Sequence, residues 1–379
     1  MNEQLIIIGS GFAAYQLVKS IRKIDQHSPI TVITADSGDD YTKPDLSHVF
    51  SRQQTASDLI KQSAQTFAEA NNINLLTHSR VDAIEPSNKQ VHIGERTLSY
   101  SKLVLATGAA PFVPPFQGNG TEEIITLNSL MEYQQHQDKI AAAKSLLILG
   151  AGLIGTEIAM DLATAGKKVT LSDKATHLMP SLLSPTISST LFQTLVEGDI
   201  TLKLGTTVSS IHRHHQQLIA EFEDKSLVEY DVVIAAMGLK PNLELAKQAG
   251  ITTQQGIVVD STLQTSAPDI YALGDCAEFD GKIRAYLQPA MLSAMALAKT
   301  LTGTITQVVL PPSLIKVKTP WLPLSLAGDT SNPTAKWEIT TDANGMMAKA
   351  IDPESNQLLG FIVSHDQQKN AFPLLRQLS

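Results

Sequence analysis

The chain reads Leu5-Ile6-Ile7-Ile8-Gly9-Ser10-Gly11-Phe12-Ala13-Ala14 near its start and Leu146-Leu147-Ile148-Leu149-Gly150-Ala151-Gly152-Leu153-Ile154-Gly155 further on. In both stretches a short aliphatic run is followed at once by a glycine turn. This pattern is typical of a buried strand leading into a helix within a βαβ unit, where the turn lets the backbone approach a pyrophosphate. One such motif also occurs in ordinary loops. Two of them together predict a protein that binds two dinucleotides.

Each glycine turn is followed by the elements expected of a dinucleotide-binding unit. After the first turn the pattern predicts an amphipathic helix over Ala13–Lys23 and a strand over Ile30–Thr34 that ends beside Asp36. After the second turn a strand ends at Asp173. An acidic residue at this place normally accepts hydrogen bonds from an adenosine ribose. The carboxylate of Asp173 would repel a 2′-phosphate, which favours NADH over NADPH, and the adjacent Lys174 weakens this preference.

The order of the remaining segments predicts that the second unit is inserted into the first. Apolar strands with a small terminal turn close the two units at Leu103–Gly108 and Val232–Gly238. A third segment of this kind, Ile270–Asp275, comes only after the second unit is complete. From about Pro311 onward the pattern changes to short antiparallel strands. These are expected at Lys316–Lys318, Leu322–Ala327, Lys336–Thr341, Met346–Ile351 and Leu359–Val363, with a hairpin turn at Asp342–Gly345 and a closing helix over Gln367–Leu378.

The predicted fold class is therefore α/β, with two Rossmann-like dinucleotide-binding domains and a small C-terminal α+β domain. The expected boundaries are residues 1–112 and 240–311 for the discontinuous first domain, 113–239 for the inserted second domain and 312–379 for the C-terminal domain.

Composition narrows the classes of function. The chain has 29 Lys and Arg against 37 Asp and Glu, a formal net charge of −8, which argues against nucleic acid as the main partner. No basic region precedes a long apolar run at the start, and no run approaches the roughly 18 apolar residues of a membrane helix. A cytoplasmic protein is expected. The single cysteine, Cys276, leaves no internal disulfide and no thiolate metal site within the chain.

Several runs carry a resemblance to a known family. The stretches Gly9–Ala14, Lys43–Val49, Ala272–Glu278 and Val317–Pro320 resemble those of the pyridine-nucleotide oxidoreductase superfamily and, within it, of the rubredoxin reductases. The resemblance covers essentially the whole chain and is closest to the branch that serves flavorubredoxin in anaerobic nitric oxide detoxification. It implies that the first unit binds FAD and that the second binds NADH. Hydride would pass to the flavin, which would then release single electrons to the rubredoxin domain of a separate partner.

The resemblance also assigns residues. Lys43 is expected beside the flavin, paired with Glu157 on the NADH-binding helix, and these two are the residues predicted to tune catalysis. The Asp275 side chain would accept a hydrogen bond from the ribityl chain. The predicted FAD set is Gly9, Ser10, Gly11, Phe12, Ala13, Ala14, Ala35, Asp36, Lys43, Val81, Thr107, Gly108, Gly274, Asp275, Leu287 and Lys318; the predicted NADH set is Gly150, Gly152, Ile154, Gly155, Glu157 and Asp173.

Other functions stay open on the sequence. The acceptor could be a free rubredoxin or a ferredoxin-type iron–sulfur protein, and a dinucleotide-binding sensor without turnover is a less favoured alternative. Disulfide reductases need a Cys-x-x-x-x-Cys pair after the first unit, and the chain has only one cysteine. Peroxidase-type relatives need a cysteine within residues 40 to 50, and this stretch contains none. Cys276 is expected to be a small buried residue. The histidines His212, His214 and His215 are expected on a solvated strand edge rather than in a metal site, and His48 is expected to be structural.

Partner binding would require a local charged surface. Rubredoxins are generally acidic, so a basic rim near the flavin is expected on this acidic chain. The candidates are Lys43, Arg52, Arg284, Lys316 and Lys318. Because no long dimerisation domain is present, a monomer is expected.

Overall fold

The computed structural model describes residues 4–378 of the chain and divides into two compact units. The first unit contains the described residues up to Lys43, together with Ser57–Ala110 and Leu239–Pro311. The second contains Pro44–Ala56, Pro111–Gly238 and the described residues from Pro312 onward. The division into three domains at the boundaries given above stays a prediction.

A parallel five-stranded sheet forms the centre of the first unit. Its strands lie in the order Ile270–Ala272, Lys102–Leu105, Leu5–Ile8, Ile30–Ile33 and Asn74–Leu76. Leu5 lies opposite both Ile30 and Lys102 in the register. The edge strand Ile270–Ala272 pairs with Lys102–Leu105, although the second glycine motif lies between them in sequence. This pairing is the one that the predicted insertion requires, and the insertion with its boundaries stays a prediction.

The helices of the first unit pack against this sheet. The helix predicted at Ala13–Lys23 is present as Phe12–Arg22 and buries Leu17, Val18 and Ile21 on one face. The other helices are Ala64–Ala70, Glu244–Gln248 and Leu287–Leu301, with a 3-10 turn at Ser57–Leu59. A further 3-10 helix, Lys43–His48, begins at the last residue of the first segment of this unit and continues in the second unit. Small sheets are formed by Asp40–Tyr41 with Ile60–Gln62; by Ala83–Glu85, Gln90–Ile93 and Arg96–Ser99; and by Ile257–Val259, Ala277–Phe279 and Lys282–Ile283.

The second unit contains its own parallel sheet, with the strand order Thr201–Leu204, Lys168–Asp173, Ser145–Leu149 and Val232–Ala235. Every residue of Val232–Ala235 is buried, as expected for a strand covered on both faces. The helices are Leu130–Ala142, Leu153–Thr164 and Pro185–Glu197, with a 3-10 turn at Thr121–Glu123. An antiparallel sheet of Val208–His214, Gln217–Phe222 and Leu227–Tyr230 lies beside them. Two short strands, Ala109–Pro111 and Leu239–Pro241, lie where the chain changes unit.

The C-terminal part of the second unit is a five-stranded antiparallel sheet, which confirms the five predicted strands. Their order is Ile315–Val317, Leu324–Gly328, Leu358–Ser364, Gly345–Ile351 and Lys336–Asp342. Asp342 lies opposite Gly345 at the predicted hairpin turn.

The closing helix predicted over Gln367–Leu378 was wrong in extent. The structure has a 3-10 helix at His365–Asn370 and a short α-helix at Ala371–Leu375. Pro373 explains the difference, because a proline has no N–H to donate within a helix and is tolerated only in the first turn. A continuous helix from Gln367 would place Pro373 in its interior.

Candidate functional site

The first glycine turn is built for close approach of a ligand. Gly9 has φ of +115°, and a Cβ placed on it would lie 2.1 Å from the carbonyl oxygen of Ala106, so only glycine fits. A Cβ on Gly11 would meet no described atom within 4 Å. Gly11 is the N-cap of the helix Phe12–Arg22, which has no side-chain cap and no acidic residue in its first turn. The uncapped N–H groups therefore suit the FAD pyrophosphate.

The end of the second strand lies beside this turn. The Ser10 hydroxyl donates to the Thr34 hydroxyl oxygen at 2.8 Å, which joins the glycine turn to the strand that leads to Asp36. Ala35 is exposed, and the Asp36 carboxylate accepts the Ser37 N–H at 2.7 Å. Val81 is buried. Two residues before it, the N–H of Ser79 donates to the Thr34 carbonyl at 2.8 Å. The structure thus brings Ser10 together with the strand end before Asp36, and the assignment of Asp36 to the ribose stays a prediction.

The turn at Gly274 and Asp275 meets the start of the same helix. Gly274 has φ of +79°, and a Cβ on it would lie 2.8 Å from the Cβ of Ala13. Asp275 is half-buried; burial raises the pKa of its carboxyl, and the positive charge of Lys43 opposes this rise. The structure therefore gathers Ala13, Asp275 and the charge of Lys43 within the first unit. Leu287 begins the helix Leu287–Leu301 and is 43% exposed.

Asn242 supports the turn at Thr107 and Gly108, and the sequence analysis missed it. Its side-chain amide donates to the Thr107 carbonyl at 2.7 Å, and its own carbonyl accepts the Thr107 hydroxyl at 3.0 Å. Its N–H donates to the Gly108 carbonyl at 3.0 Å. The signal available in the sequence was the Pro241-Asn242 pair directly after the second unit.

The second glycine turn repeats the geometry of the first. Gly150 has φ of +104°, and a Cβ on Gly155 would lie 1.8 Å from the Gly150 carbonyl oxygen. Gly152 is the N-cap of the helix Leu153–Thr164, which again has no side-chain cap and no acidic residue in its first turn. Ile154, one residue into this helix, is 43% exposed. Gly155 is tightly packed against the turn, whereas a Cβ on Gly152 would meet no described atom within 4 Å. This combination suits a second dinucleotide.

Asp173 is oriented by the turn that it faces. One carboxylate oxygen accepts the Ala151 N–H at 2.6 Å, and the other accepts the Ala175 N–H at 2.8 Å. The negative charge is therefore fixed at the second glycine turn. A carboxylate oxygen can accept more than one hydrogen bond, so Asp173 keeps acceptor sites for ribose hydroxyls.

Glu157 is a buried carboxylate, 4% exposed, on the helix Leu153–Thr164. Oε1 accepts the Lys318 N–H at 2.8 Å, and Oε2 accepts the Ser47 hydroxyl at 2.7 Å. The buried His48 places Nε2 3.5 Å from Oε2, within ion-pair distance but without hydrogen-bond geometry to any described residue. The Ser47 contact was not predicted from the sequence, although Ser47 lies within the run Lys43–Val49 that carries the family resemblance. The predicted pairing of Lys43 with Glu157 joins residues of different units and stays a prediction.

Lys318 occupies the end of the strand Ile315–Val317, where the chain turns. Its backbone N–H is bound to Glu157, as described, and its ammonium lies 3.0 Å from the Asp45 carboxylate in an ion pair that is partly exposed. Such exposed pairs contribute little stability. Within the second unit, Arg52, Lys316 and Lys318 of the predicted rim are exposed, whereas Lys43 and Arg284 belong to the first unit and are half-buried.

Cys276 is fully buried, with its sulfur 3.4 Å from the Leu273 carbonyl oxygen and 3.5 Å from that of Leu105. Burial raises the pKa of this thiol. Because the thiolate is the reactive form, the environment makes Cys276 inert.

Among residues 4–378, no three His, Cys, Asp or Glu side chains are grouped closely enough to hold a metal ion. His214 instead places Nδ1 3.3 Å from the Glu229 carboxylate, with both side chains exposed. The same part of the chain contains no helix with the length and apolar character needed to cross a membrane.

Sequence comparison places these two dinucleotide sites in a family. Residues 3–298 match the family described as pyridine nucleotide-disulphide oxidoreductase, and residues 307–378 match the rubredoxin binding C-terminal domain. A protein of Pectobacterium atrosepticum, named nitric oxide reductase FlRd-NAD(+) reductase, is 49% identical over 379 residues, which is 100% of this chain and 99% of that protein. The chain belongs to the pyridine nucleotide-disulphide oxidoreductase family. A protein of the same name from Escherichia coli O81 is 48% identical over the full length of both chains.

Solved structures agree with the family fold. The NADH:rubredoxin oxidoreductase of Clostridium acetobutylicum is similar with a TM-score of 0.82 and 23% identity, covering 99% of this chain and 94% of that one. The covalent putidaredoxin reductase–putidaredoxin complex is similar with a TM-score of 0.90 and 24% identity over 99% of this chain and 94% of that one. At these identities the likeness shows the fold alone.

Proposed function

We propose that this protein transfers electrons from NADH, through bound FAD, to the rubredoxin domain of a flavorubredoxin in nitric oxide detoxification. The observation that carries the proposal is the pair of uncapped helix N-termini, each behind a glycine turn that only glycine can form, in a chain 49% identical over its length to a nitric oxide reductase FlRd-NAD(+) reductase. Reduction of a ferredoxin-type protein is less favoured, because residues 307–378 match a rubredoxin-binding domain. Reduction of a free rubredoxin is less favoured, because the relatives that match over the whole chain are named for flavorubredoxin.

FAD fits the first unit. Gly9, Gly11 and the first turn of the helix Phe12–Arg22 would hold its pyrophosphate, and Asp36 would hold its adenosine ribose. Asp275 and Lys43 would lie at the ring end of the cofactor, where the ammonium stabilises negative charge. When bound, FAD accepts a hydride from NADH and gives up its electrons one at a time.

NADH fits the second unit. Gly150, Gly152 and Gly155 would bind the pyrophosphate, and the Asp173 carboxylate would accept the ribose hydroxyls while repelling a 2′-phosphate. The one thiol of the chain, Cys276, is buried, and burial raises its pKa, so it is not expected to form a covalent intermediate. The residues of the chain therefore act by holding two planar rings in reacting geometry, which supplies most of the acceleration.

The acceptor would bind through the basic rim. Of its residues, Arg52 and Lys316 are exposed in the second unit. An acidic rubredoxin domain would be attracted to these charges, which raises the association rate at low salt. We further propose that the protein acts as a monomer in the cytoplasm, where NADH is supplied.

The central experiment separates the two half-reactions. Purified protein loaded with FAD should bleach near 450 nm when mixed anaerobically with NADH, and the band should return on addition of oxidised flavorubredoxin. NADPH should bleach it at least tenfold more slowly. A protein that binds FAD without being reduced by NADH would contradict the proposal. Faster reoxidation by a ferredoxin than by a rubredoxin would show that a ferredoxin-type protein is the acceptor.

A charge variant tests the rim. Arg52→Gln combined with Lys316→Gln should raise the KM for the rubredoxin domain and flatten its salt dependence, while flavin reduction by NADH stays unchanged. Lys225→Gln is a matched control, because Lys225 is an exposed lysine of the same unit whose side chain pairs with Glu221 at a hairpin. If the two half-reactions slowed together in the double variant, the rim would not be the docking surface.

A further inference from the structure

The helix Leu153–Thr164 carries two buried acidic residues one turn apart, and only the first was assigned a role above. Glu157 and Asp161 are each 4% exposed. Burying a carboxylate costs several kcal/mol unless hydrogen bonds replace its hydration. The donors that satisfy Asp161 therefore identify what this side chain holds.

All three donors to Asp161 come from one short segment. Oδ2 accepts the N–H of Phe50 at 2.7 Å and the N–H of Ser51 at 3.1 Å. Oδ1 accepts the Ser51 hydroxyl in a short hydrogen bond. Phe50 and Ser51 are more than one hundred residues away in sequence, so this contact is purely a product of the fold. Asp161 acts as an acceptor for two consecutive backbone amides and one side chain.

The segment is held at two places by the same helix. Ser47 donates its hydroxyl to Glu157, and Phe50 and Ser51 donate to Asp161. The donors are three to four residues apart on the segment, and the two acceptors are four residues apart on the helix. The segment Pro44–Ala56 is grouped with the second unit, and the 3-10 helix within it begins at Lys43. The backbone that leads directly from Lys43 is therefore fixed to the helix whose N-terminus forms the second glycine turn.

We infer that Asp161 is a positioning residue for Lys43. By fixing Phe50 and Ser51, and with Glu157 fixing Ser47, it sets the direction in which the 3-10 helix presents its first residue. The requirement is for acceptor oxygens at this place, since the Asp161 carboxylate accepts each of the three hydrogen bonds described above. This inference rests on the proposed function, in which the Lys43 ammonium lies at the flavin.

A graded series of variants tests the inference in the FAD-loaded protein. Asp161→Ala removes all three acceptor contacts. Asp161→Asn keeps an oxygen for the two N–H groups, and its NH₂ can donate to the Ser51 hydroxyl. Ser51→Ala removes only one contact. We expect flavin reduction by NADH to slow at least tenfold in Asp161→Ala, two- to threefold in Ser51→Ala and less than threefold in Asp161→Asn, with an unchanged NADH dissociation constant.

Asp231 provides the matched control. It also lies in the second unit and accepts two consecutive backbone N–H groups, from Lys144 at 2.7 Å and Ser145 at 2.9 Å, and a side-chain N–H from Gln217 at 3.0 Å. Asp231→Ala should lower the urea midpoint of unfolding about as much as Asp161→Ala, but it should leave the rate of flavin reduction unchanged. An equal slowing in both variants would mean that lost stability is the cause, and the inference would be wrong.

Two readouts do not depend on turnover. Amide hydrogen exchange of Phe50 and Ser51 should be at least tenfold faster in Asp161→Ala, and the midpoint potential of the flavin should become more negative because the ammonium is no longer held in place. Faster exchange with an unchanged potential and an unchanged reduction rate would overturn the inference. If wild-type protein is not reduced by NADH, the proposed function fails, whereas the exchange and potential measurements still decide the role of Asp161.

Discussion

Replacing Gly198 by alanine tests how the turn that carries Lys318 is anchored. Gly198 ends the helix Pro185–Glu197 with φ of −83° and ψ of 15°, a conformation that alanine adopts easily. A Cβ at this position, however, would lie 2.1 Å from Cζ3 and 2.5 Å from Cη2 of the Trp321 ring. Backbone reasoning alone predicts that Gly198→Ala stabilises the protein, whereas the packing predicts the reverse.

The size of the effect follows from these distances. Carbon atoms pack at about 3.5–4.0 Å, so the edge of the Trp321 ring must retreat by roughly 1.5 Å. Overpacking of this kind costs about 1–3 kcal/mol, against a gain of about 0.4–1 kcal/mol from the smaller entropy of the unfolded chain. The net loss is about 1–2 kcal/mol, which lowers Tm by about 2–8 °C for a unit of 150–250 residues.

The ring displacement should also affect the proposed basic rim, of which Lys318 is a candidate residue. Trp321 lies three residues after Lys318, and the buried Thr319 between them donates its hydroxyl to the Leu322 carbonyl. Moving the ring therefore disturbs the turn from which the Lys318 side chain projects. The KM for the rubredoxin domain should rise about two- to fivefold in Gly198→Ala, and tryptophan fluorescence should change.

A double-mutant cycle decides the cause. Gly198→Ala is measured in the wild type and in Trp321→Leu by thermal unfolding. In the Trp321→Leu background the alanine should be neutral or stabilising by about 0.5 kcal/mol, because the clash is gone and the backbone benefit remains. If Gly198→Ala stabilises the wild-type protein, or destabilises both backgrounds equally, the steric reasoning is refuted.

Three further changes have defined outcomes. Gly155→Ala places a Cβ 1.8 Å from the Gly150 carbonyl oxygen, so stopped-flow titration should show NADH binding at least tenfold weaker with full FAD content; unchanged affinity would place the coenzyme elsewhere. Cys276→Ala should keep turnover within twofold, since the thiol is buried, and a tenfold loss with FAD retained would indicate a redox role. Burial raises the pKa of Asp231, but hydrogen bonds headed by that of the Ser145 N–H bring it down to about 2, below its ordinary 3.8. The stability that this low pKa gives is present above pH 3.8 and is lost as the pH falls toward 2. Between these pH values, urea unfolding should show a loss of about 1 kcal/mol in the free energy of unfolding, after allowance for solvent screening, and Asp231→Asn should lack this loss. An equal loss in both proteins would contradict the role of the Asp231 carboxylate.

The parts of the fold that the sequence predicts are those with a local signature. The runs Leu5–Ile8 and Leu146–Leu149 are aliphatic because parallel strands are buried on both faces, and the glycines that follow them are dictated by contacts within the turn. The hairpin at Asp342–Gly345 is likewise set by its own turn residues. Asp173 was recognisable because the end of the second strand faces the glycine turn in every unit of this kind.

The parts that escaped prediction depend on distant partners. The acceptor role of Asp161 toward Phe50 and Ser51 spans about 110 residues, and neither end carries a pattern that names the other. The support of Thr107 by Asn242 spans 135 residues. The extent of the closing helix was mispredicted for a local reason, because Pro373 prevents a continuous helix from Gln367. Long-range hydrogen bonds of buried side chains are therefore where structure adds most to the account of this site.

The division of the chain has a consequence for its biosynthesis. The polypeptide passes between the two units five times, after residues 43, 56, 110, 238 and 311. The first unit has all its segments once residue 311 has left the ribosome, whereas the second unit must wait for the strands that follow residue 311. The first unit, which begins first and is interrupted by the longest insertion, can therefore complete its folding first. Because both units are discontinuous, no single division of the gene encodes either unit intact.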